Sequence, residues 1–249
     1  MPLETRLNTP FATALDLPPG FSLVTLREVG DAFAHAKATA AELGAGTLVF
    51  VGRFDLAEFA VVLEPDEPLR TARRAFYAGM AALTDALIAH APPEKPIACV
   101  WPGAIYVDQG LVGGAQFAWS DGPEHEPPAW LVFGGMIRTV SMTAGDPGLR
   151  PLSTAIEEEG FDEAGSAELV GSFARHLMMQ IDAWREFGFK EIAKTYLSRL
   201  APEKGARRDI DENGDLLVRR MDKADVERRP LIAALAKPSW LDPKTRGPK

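Results

Sequence analysis

Residues 99–115, Cys-Val-Trp-Pro-Gly-Ala-Ile-Tyr-Val-Asp-Gln-Gly-Leu-Val-Gly-Gly-Ala, constrain this chain more than any other stretch. They read as strand, tight turn, strand. Asp108-Gln109-Gly110 supplies the turn, because glycine takes positive φ without a Cβ clash. Trp101-Pro102 enters the first strand, and Gly113-Gly114 sits inside the second. A glycine within a strand marks a bulge or a close approach of another group to the backbone. A second pair, Gly134-Gly135, lies in the apolar run 130–140. Two glycine-paired strands form either the wall of a ligand slot or a plain strand-on-strand contact.

The rest of the chain supplies a frame for that hairpin. Residues 1–20 are Pro-rich and aperiodic, and are expected as an extended arm. Residues 21–26 alternate as a strand. Residues 31–43 carry an apolar stripe (Phe33, Ala36, Ala40, Leu43) at helical spacing and stop at Gly44. The runs 47–51 and 59–63 are of buried-strand type. Pro65-Asp66-Glu67-Pro68 opens a helix, with an acid to cap it and proline in its first turn. Leu69, Phe76, Met80, Leu83 and Leu87 share its face, and it ends near Pro92.

Beyond the hairpin, whose return strand is 112–119, comes an acidic Pro-rich loop over 120–128 and one more strand over 130–140. Leu169, Phe173, Leu177, Ile181 and Trp184 mark a strong amphipathic helix, and a shorter one covers 190–200. Asn213-Gly214 between 208–210 and 215–218 predicts a further hairpin. Residues 221–249 are expected to trail along the surface. Few helices interleave with strands joined by hairpins. The fold class is therefore α+β, a mixed, largely antiparallel sheet packed with helices plus a small C-terminal β-appendage. The expected organisation is an arm (1–20), a main domain (21–201), and an appendage with its tail (202–249).

Composition narrows the function. With 46% hydrophobic residues over 249, the chain can bury one large core. A net charge of −8 lacks the long-range attraction to phosphate that nucleic-acid binding needs. Arg207-Arg208 and Arg228-Arg229 are short and acid-flanked, as solvated surface is. The single cysteine, Cys99, excludes an internal disulfide framework and points to a reducing compartment; with no histidine near it, it reads as a buried small hydrophobe. No leader and no membrane-length apolar run is recognisable, so a cytoplasmic protein without membrane attachment is expected. His35, His90, His125 and His176 lack ligand spacing, and no structural metal is expected. Neither a Gly-x-Gly-x-x-Gly turn nor a Walker loop is present.

The order of these motifs resembles the biotin–protein ligase and lipoate–protein ligase superfamily, over roughly residues 23–218. That family shows Lys-Trp-Pro-Asn-Asp-Ile, a hairpin, then Lys-x-x-Gly-(Ile/Gly)-Leu. Here Trp101-Pro102 and the glycines stand in place. Val100 replaces the first Lys, Gly103-Ala104 replace Asn-Asp, and Leu111 replaces the second Lys, which in the family contacts the acyl-adenylate. Val29-Gly30-Asp31 falls where the family has Ser-Thr-Asn or Ser-Thr-Gln opening the first helix; Asp31 is expected mainly as a helix cap. Gly52 and Arg53 are what remains of a Gly-Arg-Gly-Arg-Arg-Gly loop. Phe133-Gly134-Gly135-Met136-Ile137-Arg138 matches an Ile-Gly-x-Gly-Ile-Asn strand, with Met136 at the second Gly and Arg138 at the Asn.

The resemblance implies the ligase-like (class II synthetase-like) fold. It also implies a ligand-binding set of Gly30, Asp31, Gly52, Arg53, Trp101, Pro102, Leu111, Gly113, Gly114, Ala115, Gly134, Gly135, Met136 and Arg138. No catalytic residue follows from it. The implied ligand is a small carboxylic acid (biotin, lipoate or a medium-chain acyl compound), with ATP and Mg if the chain is active. The implied partner is a biotinyl or lipoyl carrier domain, and a homodimer through strand edges is in keeping. Two functions stay open: acyl transfer to a protein lysine via an acyl-adenylate, or a catalytically inactive protein that binds the acid or the carrier.

Overall fold

The computed structural model describes residues 15–142, 152–161, 164–221 and 225–249. The expected arm 1–20 lies largely outside them. Seven strands form one sheet: β1 (Ser22–Leu26), β2 (Thr47–Val51), β3 (Leu56–Leu63), β4 (Ile97–Val100), β5 (Ala104–Val107), β6 (Gly110–Trp119) and β7 (Leu131–Arg138). Their order is β1-β2-β3-β7-β6-β5-β4. β1 is parallel to β2 across the helix α1 (Ala32–Leu43), and the other pairs are antiparallel. The α+β class with a largely antiparallel sheet is thus what the chain adopts.

Strand alternation sorts the side chains onto two faces. One face carries Phe59, Val61, Phe133 and Ile137 and is covered by α3 (Ala75–His90), α4 (Ser166–Phe187) and α5 (Phe189–Arg199). Aromatic rings knit this layer, with Phe133 stacked on Phe173 at 5.6 Å. The other face carries Val49, Val51, Ala60, Val62 and Val132 against Ala32, Ala36 and Ala40 of α1. Small alanines bring α1 close to the sheet, so its N-terminus stands directly over β3 and β7.

Several elements differ from expectation. The helix expected to open at Pro65–Pro68 is two: α2 (Leu69–Ala72) and α3. Arg73 and Arg74 interrupt it, because bonds spaced by three residues (Arg74 N to Thr71 O, Phe76 N to Arg73 O) tighten the chain while buried Arg73 reaches Glu124 with two bonds of 2.7 Å. No acid caps α2; the carbonyls of Glu126 and Glu124 accept from its first N–H groups instead. β3 opens at Leu56 rather than residue 59, so the preceding loop is shorter still. β7 runs unbroken through Gly134-Gly135. Cys99 lies within β4, and Trp101-Pro102 forms the turn between β4 and β5.

The hairpin around Asn213-Gly214 is present, as β8 (Ala206–Ile210) and β9 (Leu216–Arg220), and a third strand, β10 (Val226–Arg229), joins it. Residues 221–249 do not simply trail along the surface. After β10 comes α6 (Leu231–Leu235), and Trp240 is then 2% exposed, inserted against the main sheet.

Candidate functional site

A cavity of about 370 Å³ opens on the α1 face of the sheet. Its walls are residues 28–31 before α1, Arg53 and Asp55 between β2 and β3, Leu56 and Glu58 of β3, Met136 and Arg138 of β7, Val140, Met142, and residues 245–248. Sequence places each group. Asp31 caps α1: its backbone is extended (φ −126°) and its Oδ1 accepts from Ala34 N at 2.8 Å. Glu58 points from β3 to the same helix end, where Oε1 accepts from Ala32 N at 2.9 Å. Two carboxylates therefore already satisfy N–H groups that a helix terminus leaves without partners.

Burial raises the Glu58 carboxyl above its ordinary pKa, against the pull of the Ala32 N–H. Arg53 grips Asp55 through both carboxylate oxygens, at 3.0 and 2.6 Å. That contact raises the guanidinium pKa and lowers the carboxyl pKa, each mainly through the side-chain hydrogen bonds. Arg138 donates to the carbonyls of Pro248 (2.8 Å), Lys249 (3.2 Å) and Thr154 (3.3 Å), and to Ser153 Oγ. Arg246 approaches Asp31 at 3.6 Å.

Residues 238–249 make a strap over the neighbouring strands. Trp240 sits in a slot with Leu56, Ala104, Leu111 and Met136, and its Nε1 donates to Ala115 O at 3.2 Å. A Cβ at Gly114 would stand 2.6 Å from Trp240 Nε1, so the bare backbone there accommodates the protein's own indole. The strap then turns back on itself: Asp242 N donates to Gly247 O at 2.9 Å, and Lys249 N to Trp240 O at 2.9 Å.

Of the residues singled out by sequence, Gly30, Asp31, Arg53, Met136 and Arg138 line the cavity together. Gly52 adjoins it, bonded to Leu26 O at 3.3 Å. Leu111, Gly114 and Ala115 meet Trp240 instead. Gly113 backs onto the Met136 carbonyl. A Cβ at Gly134 would meet Phe33 at 2.6 Å, and one at Gly135 would meet Phe59 at 2.5 Å. Trp101 and Pro102, joined by a cis peptide, belong to the helical side: Trp101 Nε1 donates to Tyr77 Oη (3.3 Å), and Pro102 O accepts from Tyr196 Oη (2.7 Å).

Sequence reasoning missed Glu58, Trp240 and Arg246, whereas Asp55 is readable as a neighbouring acid for Arg53 to pair with, and does pair with it. Glu58 had a signal, since it is the one charged residue of the apolar strand Leu-Ala-Glu-Phe-Ala-Val-Val-Leu. The lining does not fit a triphosphate: Glu28, Asp31, Asp55 and Glu58 share it with three arginines, and Arg53 is already bidentate on Asp55. Among the described residues, no group of three or more His, Cys, Asp or Glu is arranged to hold a metal ion, and no helix is long and apolar enough to cross a membrane.

The fold is shared with solved structures. A biotin protein ligase-like protein of unknown function from Silicibacter sp. TM1040 superposes with a TM-score of 0.77 at 27% identity, covering 90% of this chain and all of that one. The biotin protein ligase from Aquifex aeolicus, in complex with biotin and ATP, gives 0.60 at 16% identity over 84% of this chain and 99% of its own. The biotin protein ligase from Leishmania major, in complex with biotinyl-5-AMP, gives 0.53 at 18% over 85% and 98%. No curated protein sequence matches the chain. The Biotin/lipoate A/B protein ligase family profile matches residues 17–198, and the chain belongs to that family.

Proposed function

We propose that this protein binds a small carboxylic acid, of the biotin, lipoate or medium-chain acyl kind, in the cavity between α1, β3 and β7, and does not activate it as an adenylate. The observation that carries this reading is the commitment of Arg53 to Asp55 in a lining otherwise rich in carboxylates. Adenylate formation develops negative charge on phosphate and needs donors aimed at it; losing one such donor typically costs ~10²–10³ in rate. The positions of the family's two lysines hold Val100 and Leu111. The Trp240 indole rests on Gly114, the backbone along which the ligand would otherwise extend.

The second reading is acyl transfer, through an acyl-adenylate, to a lysine of a biotinyl or lipoyl carrier domain. It is favoured by the fold shared with ligases solved with biotin and ATP or with biotinyl-5-AMP. A homodimer through β1 suits either reading. β1 is the open edge of the sheet, whereas β4 is bridged by Leu200 and its Cys99 carbonyl accepts from Ala201 N. The cytoplasm suits a chain whose one cysteine is buried and unpaired.

ATP–pyrophosphate exchange and calorimetric titration, each with biotin, lipoate and octanoate, separate the two. Binding of one acid without exchange is the expected result. Exchange above the protein-free background with any acid would overturn the inactive reading and establish the ligase.

A further inference from the structure

The cavity does not end at Met136. Leu56 and Met136 line it, and with Ala104 and Leu111 they also wall the slot that Trp240 fills. The two halves differ in chemistry. The open half presents Asp31, Asp55, Glu58 and Arg53, whereas the slot is walled by apolar side chains. The apolar surface that an acyl tail seeks is therefore under the protein's own indole. The strap that carries this indole is held unevenly. Trp240 is buried and donates to Ala115 O at 3.2 Å. At the far end the hold is polar: Arg138 donates to the neutral peptide carbonyl of Pro248 at 2.8 Å, and Ser153 Oγ donates to Lys249 O at 2.8 Å. Residues 245–248 between them form one wall of the open half.

We propose that residues 238–249 are a displaceable plug, and that an acid with an apolar tail binds by ejecting Trp240 from the slot and taking Arg138 from the strap. The proposal rests on the reading of this cavity as a site for a small acid, and it adds how that site is regulated. The exchange runs contact for contact. The tail replaces the indole against Leu56, Leu111 and Met136, along the bare backbone of Gly114. The carboxylate replaces the Pro248 carbonyl on Arg138, so that a charged acceptor takes the place of a neutral one and can engage the guanidinium with both oxygens. An acid without a tail satisfies Arg138 but brings nothing to fill the slot, and the indole stays. The docked strap weakens each tailed ligand in proportion to the fraction of molecules in which it is closed. Ligand and strap therefore oppose one another reciprocally: whatever stabilises the strap weakens the acid, and the acid loosens the strap.

The test is amide hydrogen exchange and NMR titration of the full chain with butanoate and octanoate. Octanoate is expected to speed exchange of the Asp242 and Lys249 amides, whose bonds close the strap on itself, while butanoate leaves them protected. In Trp240→Ala the slot stands open, so octanoate should bind about tenfold or more tighter, and butanoate no differently. Octanoate that binds the wild type while those amides stay protected makes the strap a fixed wall. That outcome overturns the proposal and leaves the proposed function standing. Octanoate binding confined to the variant overturns it too, because the strap then never opens to the acid. Equal opening by butanoate does the same, because the tail then plays no part. If neither acid binds either protein, the reading of the cavity as an acid site falls, and the plug falls with it.

Discussion

Glu58 carries its cost in the native state. Burial raises its carboxyl pKa, more than the Ala32 N–H and Arg53 lower it. Between the ordinary glutamate value, about 4.3, and the higher native value, the folded protein holds more protons than the unfolded chain. Stability from this group is complete below that window and declines as pH rises through it. Glu58→Gln removes the decline, so in urea unfolding the variant should gain on the wild type as pH rises above the ordinary glutamate value. Asp55 behaves oppositely. Arg53 lowers its carboxyl pKa, so its contribution is present above about 3.9 and is lost as pH falls through the lower native value.

Cys99 follows the same logic of burial. Its thiol is pushed up to about 11 by desolvation, with Thr84 Oγ1 at 3.2 Å. A disulfide reagent at pH 8 should leave it unmodified in folded protein and react fully after denaturation. Both its burial and the Asp31 cap were legible in the sequence, the cap from the residues that follow it and the burial from the lack of any histidine or charge beside Cys99 in an apolar run, although its covering neighbours, Thr84 and Leu200, are distant in the chain. The Arg53–Asp55 pair is local too, but spacing alone does not say whether an arginine turns to a ligand or to an acid two residues on.

At the scale of elements, the strap is where sequence reading had least to work with. Residues 237–249, Lys-Pro-Ser-Trp-Leu-Asp-Pro-Lys-Thr-Arg-Gly-Pro-Lys, hold two apolar side chains among prolines and charges. Periodicity registers repeated burial, and this segment docks through one indole. The hairpins, by contrast, were visible because alternation and turn residues repeat the same message. Truncating a buried aromatic typically costs ~3–5 kcal/mol. Beyond Trp240 the strap adds only the partly buried Leu241 to that apolar cluster and polar contacts at Arg138, Ser153 and Asp31, so in Trp240→Ala the loss should appear as local opening. Hydrogen exchange reads it: the Asp242 and Lys249 amides should exchange roughly 10²-fold faster, with β6 and β7 unchanged. Faster exchange across those strands would mean that the indole supports the sheet itself.

For the whole molecule, the question is whether the last fifty residues form a unit of their own. Ile210, Leu216, Val218 and Leu231 are packed in the same cluster as Phe76, Tyr77 and Tyr196 of the helical layer. Tyr77 joins three regions: its Oη donates to Gly214 O at 2.5 Å in the β8–β9 turn and accepts from Trp101 Nε1 at the β4–β5 turn. Burial raises its phenol pKa beyond the working range, so it stays a neutral donor. Continuous packing of this kind predicts one cooperative unfolding transition rather than two. Tyr77→Phe keeps the ring and its contacts with Phe76 and Tyr196 but leaves a buried carbonyl without its donor, a cost of about 1–3 kcal/mol. In a chain of this size each kcal/mol lowers Tm by about 2–4 °C. Calorimetry and far-UV circular dichroism should therefore show a single midpoint, shifted down together by several degrees. If instead a small transition separated and moved alone, the β8–β10 sheet would be an independent domain tethered to the core, and its contacts with Tyr77 would be docking rather than folding.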